Sequence, residues 1–307
     1  MTLRWAVALL SCLGLVALAG CGGRADDGAA SRRDVVAAFY PLQYAVEQIG
    51  GDHVKVTGLT KPGVEPHDIE LTARAVARVA TADAVVYLRG FQSAVDEAVD
   101  SQAKGRGFDV AGSARLDLAA APDAHEGQHP SRASASDPHF WLDPQRYAAV
   151  ADAIAAHLSS IDPTNAADYQ TRAKAFTARL STLDAEFAAG LKDCRSRDLV
   201  TGHAAFGYLA EAYGLHQVGI SGLTPESEPS PSALARIAAT VKDEGVRTIY
   251  AETLASREVA ETLARETGAR LAVLDPLEGL TDESAGPDYF AVMRANLQTL
   301  RTGQECR

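Results

Sequence analysis

Residues 169–191 constrain the fold more than any other stretch. Tyr169, Ala173, Phe176, Leu180, Leu183 and Phe187 step alternately by four and three, and Leu191 follows four residues on. That spacing is one apolar stripe along an α-helix. No glycine or proline interrupts it before Gly190, and with a start near Asp162-Pro163-Thr164 it predicts a helix of about seven turns, roughly 40 Å long at 1.5 Å per residue. Such a helix can reach across a whole two-lobed molecule. On both sides the pattern changes to short apolar runs that alternate with helical stretches. Strands are expected near residues 34–40, 54–59, 84–88 and 107–110, and again near 198–202, 216–220, 246–251 and 270–274. Strand–helix alternation means parallel strands joined by helical crossovers. The expected class is α/β: two (β/α)4-like lobes with parallel sheets, joined by one long linking helix. The lobes are expected at residues 34–160 and 194–307, with the linking helix within 161–193. A chain of 307 residues, 47% hydrophobic, suffices for two such lobes. No residue-level repeat relates the halves, so the duplication is one of architecture.

The N-terminus has a different job. Arg4 precedes an apolar run over residues 5–18, broken by Ser11, Cys12 and Gly14, and the run ends in Leu18-Ala19-Gly20-Cys21. It is short for a membrane span and reads as an export signal over residues 1–20. The Leu-Ala-Gly-Cys ending resembles the bacterial lipoprotein signal. That resemblance implies that Cys21 becomes the lipidated first residue, on the extracytoplasmic face of the cell membrane. Gly, Ala, Ser, Asp and Arg fill the residues up to Arg33, a flexible tether over residues 21–33. The formal charge of −11, without a basic patch, argues against a nucleic-acid partner. Of the cysteines, Cys12 leaves with the signal and Cys21 carries lipid. Cys194 and Cys306 remain in an oxidising compartment, where a disulfide between them is expected; the alternative is two separate buried thiols.

Ligands in open parallel sheets bind beyond the carboxyl ends of the strands, so residues that follow strands are the candidates. His67 lies in the loop Thr60–Asp68, stiffened by Pro62 and Pro66. His203 and Asp275 each follow a strand directly. His139 sits in Asp137-Pro138-His139-Phe140-Trp141-Leu142-Asp143-Pro144, where two Asp-Pro steps hold the backbone extended and two rings can exclude water. Two candidates come from each half, so all four can face one cleft. Three imidazoles and a carboxylate form a closed four-coordinate set for a divalent transition metal, with zinc favoured over manganese or iron by the nitrogen donors.

At this point the sequence resembles a known family. Glu65-Pro66-His67-Asp68, the His139 segment above, His203-Ala204-Ala205-Phe206-Gly207-Tyr208, Pro225-Glu226-Ser227-Glu228-Pro229-Ser230 and Leu274-Asp275-Pro276-Leu277 are similar, in order, to the zinc/manganese substrate-binding proteins of bacterial ABC transporters. The similarity covers nearly all of the mature chain. It implies two lobes around one metal, with His67, His139, His203 and Asp275 as ligands. Manganese-selective members tend to carry a carboxylate where this chain has His203, which implies zinc; a manganese-binding member is the alternative. Zinc-type members also carry an insertion rich in His and acidic residues before the second ligand. Here residues 119–137 hold His125 and His129, either a metal-capture loop or an ordinary solvated one. Glu65, Glu228 and Glu252 are candidates to hold an imidazole N–H or a nearby arginine, against ordinary ion pairing, and Glu252 is a reserve ligand should Asp275 point away. His53, His157 and His216 read as structural.

The leading expectation is a lipid-anchored, monomeric binding protein that captures Zn(II) between two lobes and hands it to an ABC permease, with no catalysis. A zinc hydrolase would need an open metal position and a general base, and no His-Glu-x-x-His run is present. An adhesin that merely contains metal is a third class, and no sequence feature favours it.

Overall fold

The protein is described by a computed structural model over residues 32–119, 136–225, 227 and 229–307. Cys21, His125, His129 and Glu228, together with the expected signal and most of the tether, lie outside the described residues.

The first half runs β1 (Arg33–Ala37), α1 (Tyr40–Gly50), β2 (Val54–Gly58), α2 (Ala73–Thr81), β3 (Ala84–Tyr87), α3 (Ser93–Gln102), β4 (Gly107–Asp109) and the one-turn α4 (Ala111–Ala114). Two long helices follow, α5 (Pro144–Ile161) and α6 (Ala166–Gly190). The second half is β5 (Asp198–Thr201), α7 (Gly207–Tyr213), β6 (His216–Gly219), α8 (Pro231–Asp243), β7 (Thr248–Ala251), α9 (Glu258–Thr267), β8 (Arg270–Val273) and α10 (Tyr289–Gly303). Each half forms a four-stranded sheet, in order β2-β1-β3-β4 and β6-β5-β7-β8. Every pairing is parallel. The sequence expectation of two parallel lobes and one long helix describes this architecture.

Local chemistry sets the helix ends. The Thr72 hydroxyl accepts from the Ala75 N–H, so α2 begins at Ala73. Asp143 caps α5 while Pro144 occupies its first turn, where a missing N–H costs nothing. Gly268, at φ +76°, ends α9 in the left-handed conformation that glycine adopts freely.

The 25-residue α6 spans about 37 Å. Its buried face is Tyr169, Ala173, Phe176, Leu180, Leu183 and Phe187, the stripe read from the sequence. This face packs on α1 and α5 from the first half and on α10 from the second. Phe176 meets Tyr44, Tyr147 and Phe290 at 6.0, 5.5 and 5.6 Å between ring centres. Burying each such ring contributes about 3 kcal/mol. Cys194, just past α6, is joined to Cys306 at the chain's end by a disulfide. Among the described residues no helix is long and apolar enough to cross a membrane.

Candidate metal centre

Four elements deliver side chains to one buried point. His67 rides the loop after β2. Gln92 anchors that loop: its amide donates to the Pro66 carbonyl (2.9 Å) and to Thr60 Oγ1 (3.1 Å). The loop reaches the other half through the Gly63 N–H, which donates to the Leu280 carbonyl (3.0 Å).

His139 is set by its own local turn. Asp137 accepts the His139 backbone N–H at 2.9 Å, and the same carboxylate oxygen lies 2.7 Å from Nδ1. An ionised carboxylate only accepts, so Nδ1 carries a proton and Nε2 is the ring atom left facing the centre. His203 repeats this device with a partner from another strand. Glu252, just after β7, accepts the His203 backbone N–H (2.7 Å) and makes a short bond to Nδ1. Gly202 makes the approach possible: a Cβ there would lie 2.9 Å from the Glu252 carboxylate.

The fourth group is Glu278, in the loop after β8. Its Oε1 lies 3.1, 3.0 and 3.2 Å from Nε2 of His67, His139 and His203. One candidate ligand atom from each of the four residues fits within 4.8 Å of every other. The side chains are 8%, 0%, 0% and 1% exposed, in the order His67, His139, His203, Glu278. Phe91 and Trp141 wall the centre, 4.7 Å from the His67 ring and 5.2 Å from the His139 ring.

This overturns one expectation: Asp275 is not in the group. It is 3% exposed, but its oxygens accept from the Leu277 N–H (2.8 Å) and the Ser284 hydroxyl (2.7 Å). Both oxygens face donors within its own loop, and the group that converges with the three imidazoles does not include it. Glu278, three residues on, takes the place that was expected for it. Glu252, the reserve ligand, instead grips His203 from behind. Glu65 accepts the His67 backbone N–H (2.9 and 3.0 Å) and lies 3.7 Å from Nε2. The sequence reading also passed over Asp137. Its signal was present: an Asp two residues before a His can fold back onto that residue's N–H, as Asx turns do.

The halves are tied around the centre. The Trp141 indole donates to the Pro276 carbonyl (2.8 Å), the Tyr289 hydroxyl to the Trp141 carbonyl (2.6 Å), and the Tyr208 hydroxyl to the Asp137 carbonyl (3.0 Å).

The electrostatics favour a cation. Burial works against a charge on His203, but the Glu252 and Glu278 carboxylates outweigh it and hold the imidazole well above its ordinary range. At His139 burial likewise opposes, and Asp137 and Glu278 raise the value. His67 differs: burial dominates and pushes it down. Burial would raise Glu278, yet His203 and the three imidazole contacts hold it well below the usual carboxylate range. Among the described residues, no lysine or arginine pairs with Asp137, Glu252 or Glu278. Three buried carboxylates thus depend on positive charge at the imidazoles or among them.

Comparisons with known proteins find zinc-binding relatives. The zinc-binding protein AdcA of Streptococcus pyogenes serotype M6 is 38% identical over 283 residues, which cover 87% of this chain and 55% of that protein. The chain thus spans about half the length of that relative. The high-affinity zinc uptake system protein ZnuA of Bacillus subtilis strain 168 is 35% identical over 309 residues, 97% of each chain. Among solved structures, the Zn(II)-bound ZnuA-like domain of Streptococcus pneumoniae AdcA matches with a TM-score of 0.72 and 35% identity, over 90% of this chain and 100% of that one. The family described as "zinc-uptake complex component A, periplasmic" matches residues 35–303, and the chain belongs to it.

Proposed function

We propose that the protein captures Zn(II) as cargo through Nε2 of His67, His139 and His203 and a carboxylate oxygen of Glu278, and passes it to an ABC permease. It acts as a monomer outside the cytoplasm, held at the membrane by lipid on Cys21, and the ion leaves chemically unchanged. The observation that carries the reading is the convergence of three imidazole nitrogens from both halves on one buried carboxylate oxygen. Three nitrogens and one oxygen in a compact set suit zinc better than manganese, which prefers more oxygen donors.

The test uses residues 22–307, the mature chain without its lipidated Cys21, purified without added metal, then titrated with zinc and manganese in competition. One zinc per chain, retained against excess manganese and lost in His139→Ala, is the expected result. Preference for manganese, or steady turnover of ester, peptide or phosphate substrates, would overturn it.

A further inference from the structure

We propose that Asp275 is a positioning residue for Glu278: its carboxylate closes the loop over residues 275–284 on itself and so fixes where Glu278 presents its oxygen. The inference rests on the reading that this centre holds Zn(II).

Asp275 emerges just past β8 and is held from both sides by one residue of α10. Its N–H donates to Asn296 Oδ1 (3.0 Å), and its carbonyl accepts from Asn296 Nδ2 (2.7 Å). With the backbone anchored, each carboxylate oxygen takes one job. Oδ1 accepts the Leu277 N–H at the start of the loop, and Oδ2 accepts the Ser284 hydroxyl at its end. One side chain therefore pins both ends of the turn that carries Glu278.

The conformation being held is an unfavourable one. Leu277 has φ +58°, the left-handed region that side chains with a Cβ avoid. Such a residue persists only where its surroundings over-determine it. Here the Asp275 oxygen holds its N–H, and the core buries its side chain completely. The turn comes one residue before Glu278 and aims that side chain back across the cleft at the imidazoles. Without the Asp275 bonds, Leu277 is free to return to an ordinary conformation, which swings Glu278 off the three nitrogens.

A double-mutant cycle on the mature chain tests this, read by zinc competition with an indicator dye. Ser284→Ala and Asp275→Ala are each made in the wild-type and in the Glu278→Gln background. Expected in wild-type is a zinc affinity loss of about 10–100-fold, as for partners that orient metal ligands. In Glu278→Gln the same changes should cost little more, because they act through a group already removed. Cobalt(II) absorption bands of the single variants should shift towards those of Glu278→Gln. Equal losses in both backgrounds would mean general support of the fold or direct ligation by Asp275, and unchanged affinity would mean no role; either overturns the proposal. Should Asp275→Ala fail to fold, Ser284→Ala, which removes one hydroxyl, carries the cycle. A wild-type chain that binds no zinc defeats the functional reading instead.

Discussion

The two sides of the metal centre are built differently. His139 and His203 each have a carboxylate at Nδ1, and the same carboxylate holds their own backbone N–H. Their rings are fixed from behind, and the bonds of Trp141, Tyr289 and Tyr208 knit the His139 segment to the second half. At His67 the neighbouring carboxylate, Glu65, bonds the backbone N–H and lies 3.7 Å from Nε2. Its loop is held by Gln92 and by one bond to Leu280, and it alone of the three imidazoles is lowered rather than raised in proton affinity. The centre thus pairs two rings fixed from behind with a third that is held mainly through its loop.

The largest effect should separate the two sides. Zinc affinity of about 10–16 kcal/mol shared over four ligands gives about 3 kcal/mol each, or roughly a hundredfold. His203→Ala should exceed this, because it removes a ring that Glu252 already holds aimed at the ion, whereas His67→Ala should not. Zinc competition titrations check it, and equal losses at both positions would break the comparison.

A smaller effect is expected from the supporting carboxylates. Glu252→Gln and Asp137→Asn should each weaken zinc by about 10–100-fold. Gln92→Ala should sit at the lower end, about tenfold, and should appear mainly as faster zinc loss in stopped-flow measurements.

Acid sharpens the same contrast. Zinc must displace protons held by His139 and His203, whose values are raised, so affinity should fall on acidification starting above the ordinary histidine pKa of about 6.5. His67, being lowered, joins only at more acidic pH. Flat affinity between about pH 8.5 and 6.5 would contradict the raised pair. The metal-free protein follows the linkage sign. A folded pKa raised above the unfolded one gives stability that is complete below the unfolded pKa and lost as pH rises through the folded value. Metal-free chains should therefore melt lower at about pH 8.5 than at about pH 6.5, and zinc-loaded chains should not. Thermal melts at the two values decide it.

The smallest effect on zinc belongs to the frame. Phe176→Ala should cost about 3–5 kcal/mol of stability and leave zinc affinity nearly unchanged, by denaturant melts and titration together.

Much of this was legible in the sequence because periodicity is local. The α6 stripe and the eight strands follow from spacing alone, whereas the four-residue α4 is too short to show any period. The helix after β5 begins only at Gly207, because the residues between them serve the site first. The three histidines stood out through the proline steps and strand ends around them. Glu278 did not, because the Leu277 backbone sets its aim, and a left-handed leucine leaves no mark in a sequence. Asp275 was read as the ligand because it directly follows a strand. That position gave it the task of holding the loop and left the reach across the cleft to a longer side chain.

Burial of the centre has a kinetic consequence. With His139 and His203 fully enclosed and His67 only 8% exposed, no scavenger in solution can touch a bound ion until part of the wall moves. The residence time is then set by the opening frequency of the His67 loop, so the rate at which an external chelator strips zinc should level off as its concentration rises.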